Sequence, residues 1–161
     1  MQNHSKIMDM QISHSQLHLY SGEFVEENTE WGQGNIEQGV IINAHHIVFD
    51  PIIQEPFSAK IYLNILDQFI PNPDAIRSIA TNIQVVSNEI SLFSVPGHRK
   101  INEEIDNGWY FLFFEECETE DVDEIFFVIS LIKTNHPQPS VYLQSDSWGG
   151  IKGMELKSGK F

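Results

Sequence analysis

The sequence predicts an all-β domain: an antiparallel β-sandwich with one short helical segment at most. Short stretches of period-2 hydrophobicity recur along the chain, turn residues separate them, and no long 3.6-period stretch interrupts them. At 161 residues, with 41% hydrophobic side chains and eleven Phe, the chain can bury a core of its own without disulfide or metal support.

The strands follow in order. Leu17 and Leu19 alternate with His18 and Tyr20, and Ile47 and Phe49 flank Val48 before Asp50-Pro51, where a strand should end. Ile61, Leu63 and Ile65 alternate with Lys60, Tyr62 and Asn64. Ile79, Thr81, Ile83 and Val85 form another face, and Ser87-Asn88 separates it from Ile90, Leu92 and Ser94, which predicts a hairpin. Asn107-Gly108 is the strongest turn signal, because both residues tolerate positive φ. It joins Lys100–Ile105 to the aromatic strand Trp109–Phe114. Both faces of that strand are apolar, so it is either central or covered on one side. The last strong strand is Ile125–Ile132.

Helical signal is confined to Thr29–Gly39, with Thr29 as a candidate N-cap and Ile36 facing inward. Gly32 and Gly34 weaken it. From residue 133 the character changes. Pro137 and Pro139 break the pattern and four glycines fall between Gly149 and Gly159. Residues 1–132 read as an acidic sandwich domain. Residues 133–161 read as a C-terminal extension with an edge strand at Val141–Leu143, not a separate domain.

Charge narrows the function. Residues 1–132 hold five basic and 21 acidic side chains, a net −16, whereas residues 133–161 hold four basic and two acidic, a net +2. A body of that charge repels nucleic acid and anionic lipid and attracts basic protein surfaces. From Glu103 to Glu124 there are ten carboxylates and no basic residue. Glu115, Glu116, Glu118, Glu120, Asp121, Asp123 and Glu124 are expected in the loop after the aromatic strand. A loop of this kind can imitate spaced phosphates and fit a cationic groove, or it can be a solvated connection. Trp31, beside the acidic stretch Glu23–Glu30, is the second candidate contact.

Chemistry beyond binding finds little support. Asp121, Asp123 and Glu124 are hard oxygen ligands, but the twelve-residue calcium loop with its central Gly is missing. His45 and His46 are adjacent on a strand and point to opposite faces, and His4, His14, His18 and His98 show no ligand spacing. All are expected at the surface or in turns. Cys117 sits among Glu115, Glu116 and Glu118, which raise its thiol pKa. There is no P-loop, no G-x-G-x-x-G and no G-x-S-x-G, and Trp31-Gly-Gln-Gly34 lacks the strand and Lys of a phosphate loop. No catalytic residue, metal or cofactor is expected.

The ordered landmarks Ile12-Ser-His-Ser-Gln-Leu17, Trp31 with Ile36 and Gly39, Ile47-Val-Phe-Asp50, the pair Ile79–Val86 and Ile90–Phe93, and Asn107-Gly-Trp-Tyr110 resemble the competence protein J family, the inhibitors of the bacterial DNA-entry nuclease. The resemblance spans about residues 10–132. It implies a β-sandwich that binds and inhibits a nuclease, with no catalytic residues of its own, in a DNA-entry or toxin–immunity pair. The expected partner is a basic nuclease, engaged by the acidic surface, with no direct contact to nucleic acid. The alternative is a small-ligand-binding sandwich or an enzyme of unrecognised type. The expected location is the cytoplasm, with association to a membrane complex through the partner. No apolar run has the length of a membrane helix.

Overall fold

A computed structural model of the chain describes residues 3–53, 55–95, 100–119 and 124–161. Among these residues eleven strands form two sheets: β1 (His4–Ile12), β2 (Leu17–Tyr20), β3 (Val40–Asn43), β4 (His46–Phe49), β5 (Phe57–Ile65), β6 (Ala75–Val85), β7 (Glu89–Phe93), β8 (Ile101–Glu104), β9 (Gly108–Thr119), β10 (Glu124–Thr134) and β11 (Val141–Tyr142). A six-stranded sheet runs β1-β5-β10-β9-β6-β11 and a five-stranded sheet β3-β4-β2-β7-β8. The pairings are antiparallel except β5 with β10, which is parallel. The all-β sandwich is therefore as expected.

The predicted hairpins are where sequence and structure part. The Ser87-Asn88 turn forms, with both residues at positive φ, yet β6 and β7 lie in different sheets. Asn107-Gly108 likewise carries the chain from β8 in one sheet to β9 in the other. These two sheet-switching corners are tied together. The Asn88 N–H donates to Asn107 Oδ1 at 2.7 Å, and the Ile105 N–H donates to the Asn88 carbonyl at 3.1 Å. Tyr110 buries its ring completely and donates its hydroxyl to the Asp106 carbonyl at 2.8 Å.

The core lies between the sheets. β5 presents Ile61, Leu63 and Ile65, β9 presents Tyr110, Leu112 and Phe114, and β10 presents Phe127, Ile129 and Leu131. They meet Leu17, Leu19, Ile47, Phe49, Ile90 and Leu92 of the five-stranded sheet. At the centre the rings of Phe49 and Phe114 stack 3.9 Å apart, and β9 is internal to its sheet, one of the two placements its aromatic pattern allows.

The helix lies within the expected window but faces the other way. A 3₁₀ turn covers Glu26–Thr29 and helix α1 covers Gln33–Gln38. Thr29 is not an N-cap; it closes the 3₁₀ turn by donating its hydroxyl to the Glu26 carbonyl. Ile36 is 54% exposed, and Asn35 is the buried residue. The reason is the C-terminal segment, which folds back onto α1. Asn35 Oδ1 accepts N–H bonds from Gly32 and Phe161, and its Nδ2 donates to the Gly159 carbonyl at 2.8 Å. A Cβ on Gly34 would collide with the Phe161 ring, so the glycine that weakens the helix is what lets Phe161 dock. Further along, β11 pairs with the edge of β6, and Tyr142 and Leu156 join the core.

Phe114→Ala should destabilise the protein by about 3–5 kcal/mol, because its cavity opens between two close-packed sheets. A loss below about 1 kcal/mol in urea unfolding would contradict this core assignment. Deleting residues 137–161 uncovers the β6 edge and removes Tyr142 and Leu156, and should cost more than about 3 kcal/mol by the same measurement.

Candidate functional site

The acidic run Glu103–Glu124 does not form one surface. β9 holds twelve residues, and at about 3.3 Å per residue it spans roughly 40 Å. Glu103, Glu104 and Asp106 therefore lie at one end of the sandwich, and Glu118 and Glu124 at the other. At the first end Glu103 is engaged within the chain, by Lys6 at 2.9 Å and His4 at 3.0 Å. At the second end Glu118 and Glu124 are exposed, and the Glu118 N–H donates to the carbonyl of exposed Asp74. Glu120, Asp121 and Asp123 lie outside the described residues.

Glu115 and Glu116 correct the expectation most sharply. They are not in a loop but in β9, each only 1% exposed. β9 continues its ladder on both edges past Phe114. Glu115 pairs with Val128 and Ser78, and Glu116 with Phe127 and Arg77. Trp31 sits half-buried just before α1, next to Glu30, whose carboxylate pairs with Lys160 at 3.2 Å.

The two buried carboxyls have different surroundings. Glu116 points to the sandwich interior. Burial pushes its carboxyl up to about 8, against the opposing pull of Arg77. Arg77 is itself buried. Its Nη2 donates to the Gln38 carbonyl at 2.9 Å, and its Nε stands 3.6 Å from Asp146 Oδ2 of the C-terminal segment. Tyr142 donates its hydroxyl to the same Gln38 carbonyl. This cluster ties the C-terminal segment to the body. Next to it, Cys117 is buried, and burial first, then Glu115, pushes its thiol up to about 12.

Glu115 faces the outer side of the six-stranded sheet. The segment from Leu66 to Asp74 crosses that side between β5 and β6. Phe69 stacks on Phe113 at 4.1 Å, and the Asn72 N–H donates to Glu115 Oε2 at 2.8 Å. Between this segment and β5 and β10 a groove of about 530 Å³ remains. Tyr62, Asn64, Phe126, Val128 and Ser130 line it with Glu115. Burial pushes the Glu115 carboxyl up and the Asn72 hydrogen bond pulls it back.

The histidines were expected at the surface, and two are not. His18 and His46 are buried on the outer face of the five-stranded sheet, their Nδ1 and Nε2 atoms 2.8 Å apart. His18 Nε2 donates to Gln16 Oε1 at 2.7 Å. His18 Nδ1 must then accept from His46, so both rings are neutral Nε2–H tautomers. Burial lowers His18 to about 3 and His46 to about 4. His18 stacks on Phe93 at 4.4 Å, with Phe24 beside both histidines. The pair is a packing unit with its hydrogen bond built in. His98 lies outside the described residues. Among the described residues no group of three His, Cys, Asp or Glu could hold a metal ion, and no helix is long and apolar enough to cross a membrane.

The profile of the family described as Competence protein J (ComJ) matches residues 9–136. The chain belongs to the competence protein J family. Its fold recurs in the crystal structure of ComJ, inhibitor of the DNA degrading activity of NucA, from Bacillus subtilis. That match has a TM-score of 0.71 at 17% identity and covers 83% of this chain and 100% of that one. The protein described as Crocagin biosynthetic gene J shares it at a TM-score of 0.59 and 11% identity, covering 84% and 100%. No curated protein matches the chain. The family match ends at residue 136, so β11 and Phe161, which packs on α1 of this competence protein J member, lie beyond it.

The buried Glu116 sets a pH dependence. Its pKa lies above that of an unfolded carboxyl near 4.5, so the folded state holds the proton more tightly. The stability it contributes is full below about pH 4.5 and is lost as pH rises through 8. Glu116→Gln should therefore raise stability above pH 8 by on the order of 3 kcal/mol and converge with the parent near pH 4.5. Urea unfolding at both pH values checks this; equal stabilities at pH 8.5 would refute it.

Proposed function

We propose that this competence protein J member inhibits a nuclease by binding it, as a protein without catalytic residues. The observation that carries the reading is the family match across residues 9–136, joined to the fold it shares with the Bacillus subtilis inhibitor of NucA. The partner is a basic nuclease of the DNA-entry or toxin–immunity type, and the encounter takes place in the cytoplasm.

The partner surface is the acidic end of the β9–β10 hairpin. Glu118 and Glu124 are exposed there beside Asp74, and the connecting residues add Glu120, Asp121 and Asp123. Carboxylates grouped this way stand in for the phosphates a nuclease groove is built to hold. Such charge acts mainly on the rate and orientation of encounter, since a single rim charge is worth under about 1 kcal/mol. Glu115 and Glu116 are not part of this rim, because the sheet encloses them. Trp31 with Glu23–Glu30 is the second surface.

The test is DNA degradation by the DNA-entry-type nuclease of the same organism. An equimolar amount of this protein should stop it, with an association rate that falls steeply as salt rises. Changing Glu118, Glu120, Asp121, Asp123 and Glu124 together to amides should slow association about tenfold while leaving the unfolding midpoint unchanged or higher. If that variant associates and inhibits like the parent, the hairpin end is not the partner surface.

A further inference from the structure

The groove over the six-stranded sheet has a feature that the core does not explain. Glu115 Oε2 accepts the Asn72 N–H, but Oε1, equally buried, has no hydrogen-bond partner among the described residues. An enclosed carboxylate oxygen without a donor is costly to keep. Among the described residues no Lys, Arg or His lines the groove. Lys60, cross-strand from Phe126, is held by Asp9 at 3.2 Å.

The rest of the groove suits one kind of visitor. Tyr62 and Phe126 stand edge to face, centroids 5.6 Å apart, and supply two aromatic rings. Aromatic faces attract ammonium and guanidinium groups. Ile70, Pro71 and Pro73 line it from the crossing segment, and Ile70 is 68% exposed. A single polar acceptor in a concave, largely apolar wall is the arrangement of a ligand pocket.

We propose that this groove is a socket for one basic side chain, Lys or Arg, of the partner protein, with Glu115 Oε1 as its acceptor and Tyr62 and Phe126 against its alkyl stem and cationic head. The proposal rests on the inhibitor reading for the identity of the partner. It adds a second contact, chemically distinct from the hairpin rim. The rim acts at long range through many solvated charges, whereas the socket acts at contact through one enclosed carboxyl.

The test separates the socket from the partner. The full-length 15N-labelled protein is titrated with ethylguanidinium chloride and with n-butylammonium chloride, using n-butanol and sodium chloride as controls. Saturable shifts are expected at the Asn72 amide and at Tyr62, Val128 and Ser130 with the two cations and not with the controls. Glu115→Gln should weaken them at least fivefold. Ile70→Arg, which leaves the carboxyl in place and offers the groove a guanidinium of the chain's own, should abolish them. Shifts that instead track Glu118 or Glu103, or that persist in both variants, overturn the socket. In the nuclease assay, Glu115→Gln should raise the concentration needed for half-inhibition at least tenfold. If the parent inhibits and both variants inhibit equally well, the socket is overturned and the inhibitor reading stands. If the parent does not inhibit while the cations bind in a Glu115-dependent way, the partner assignment falls and the groove is a site for small organic cations.

Discussion

Everything in this molecule is arranged around β9, the strand paired along its length on both edges, with β10 on one side and β6 on the other. A strand in that position has no free edge and little exposed face. Whatever residues occupy it are enclosed by the ladder before their own polarity is consulted. For Tyr110, Leu112 and Phe114 that enclosure is favourable, since each removes apolar area from water. For Glu115 and Glu116 it is imposed. The strand resolves the two conflicts differently. Glu116 is accommodated inside by Arg77 and by a raised affinity for its proton. Glu115 is accommodated outside by a single backbone N–H from the crossing segment.

The strands were legible in the sequence because the two faces of a sandwich impose period two, and β5 shows it in every residue from Ala59 to Ile65. Sheet membership was not legible. A tight turn with two positive-φ residues serves a hairpin and a corner between sheets equally well, and Ser87-Asn88 is the second kind. The buried carboxylates are hard to read because a run of charges looks solvent-facing. The signal that places them is the length of β10. A hairpin keeps register from its turn outward, so the apolar strand beginning at Ile125 requires an equally long partner. Counting back from the connection places Glu116 opposite Phe127. The position of His18 is hidden for a related reason. Its alternation with Leu17 and Leu19 points it to water, whereas Phe24 and Phe93 cover that face.

The C-terminal segment shows how one contact can explain several odd residues. Gly32 and Gly34 are poor helix formers, Asn35 is a poor core residue and Ile36 a poor surface residue. Each becomes reasonable once Phe161 lies across α1. Only a helix face without side chains admits Phe161 so closely, and the Asn35 amide donates from its nitrogen to one backbone group while its oxygen accepts from two. Farther back along the same segment, Asp146 reaches Arg77. The basic end, set against a strongly acidic body, contributes Lys160 to Glu30.

The formal charge of −14 therefore overstates what a partner meets. Glu116 holds its proton at neutral pH, Glu103 is committed to Lys6 and His4, and Asp9 and Glu30 face lysines of their own chain. Glu118, Glu124 and Asp74 share one end of the sandwich, and Glu115 lies on the outer face of the same sheet, three residues along β9 from Glu118. At about 3.3 Å per residue the two are separated by roughly 10 Å, within the footprint of a single partner of ordinary size. A basic groove steered to the hairpin end would thus bring its flank over the Tyr62–Phe126 groove. Long-range attraction and close-range recognition would then belong to one docking event, because both descend from the same strand.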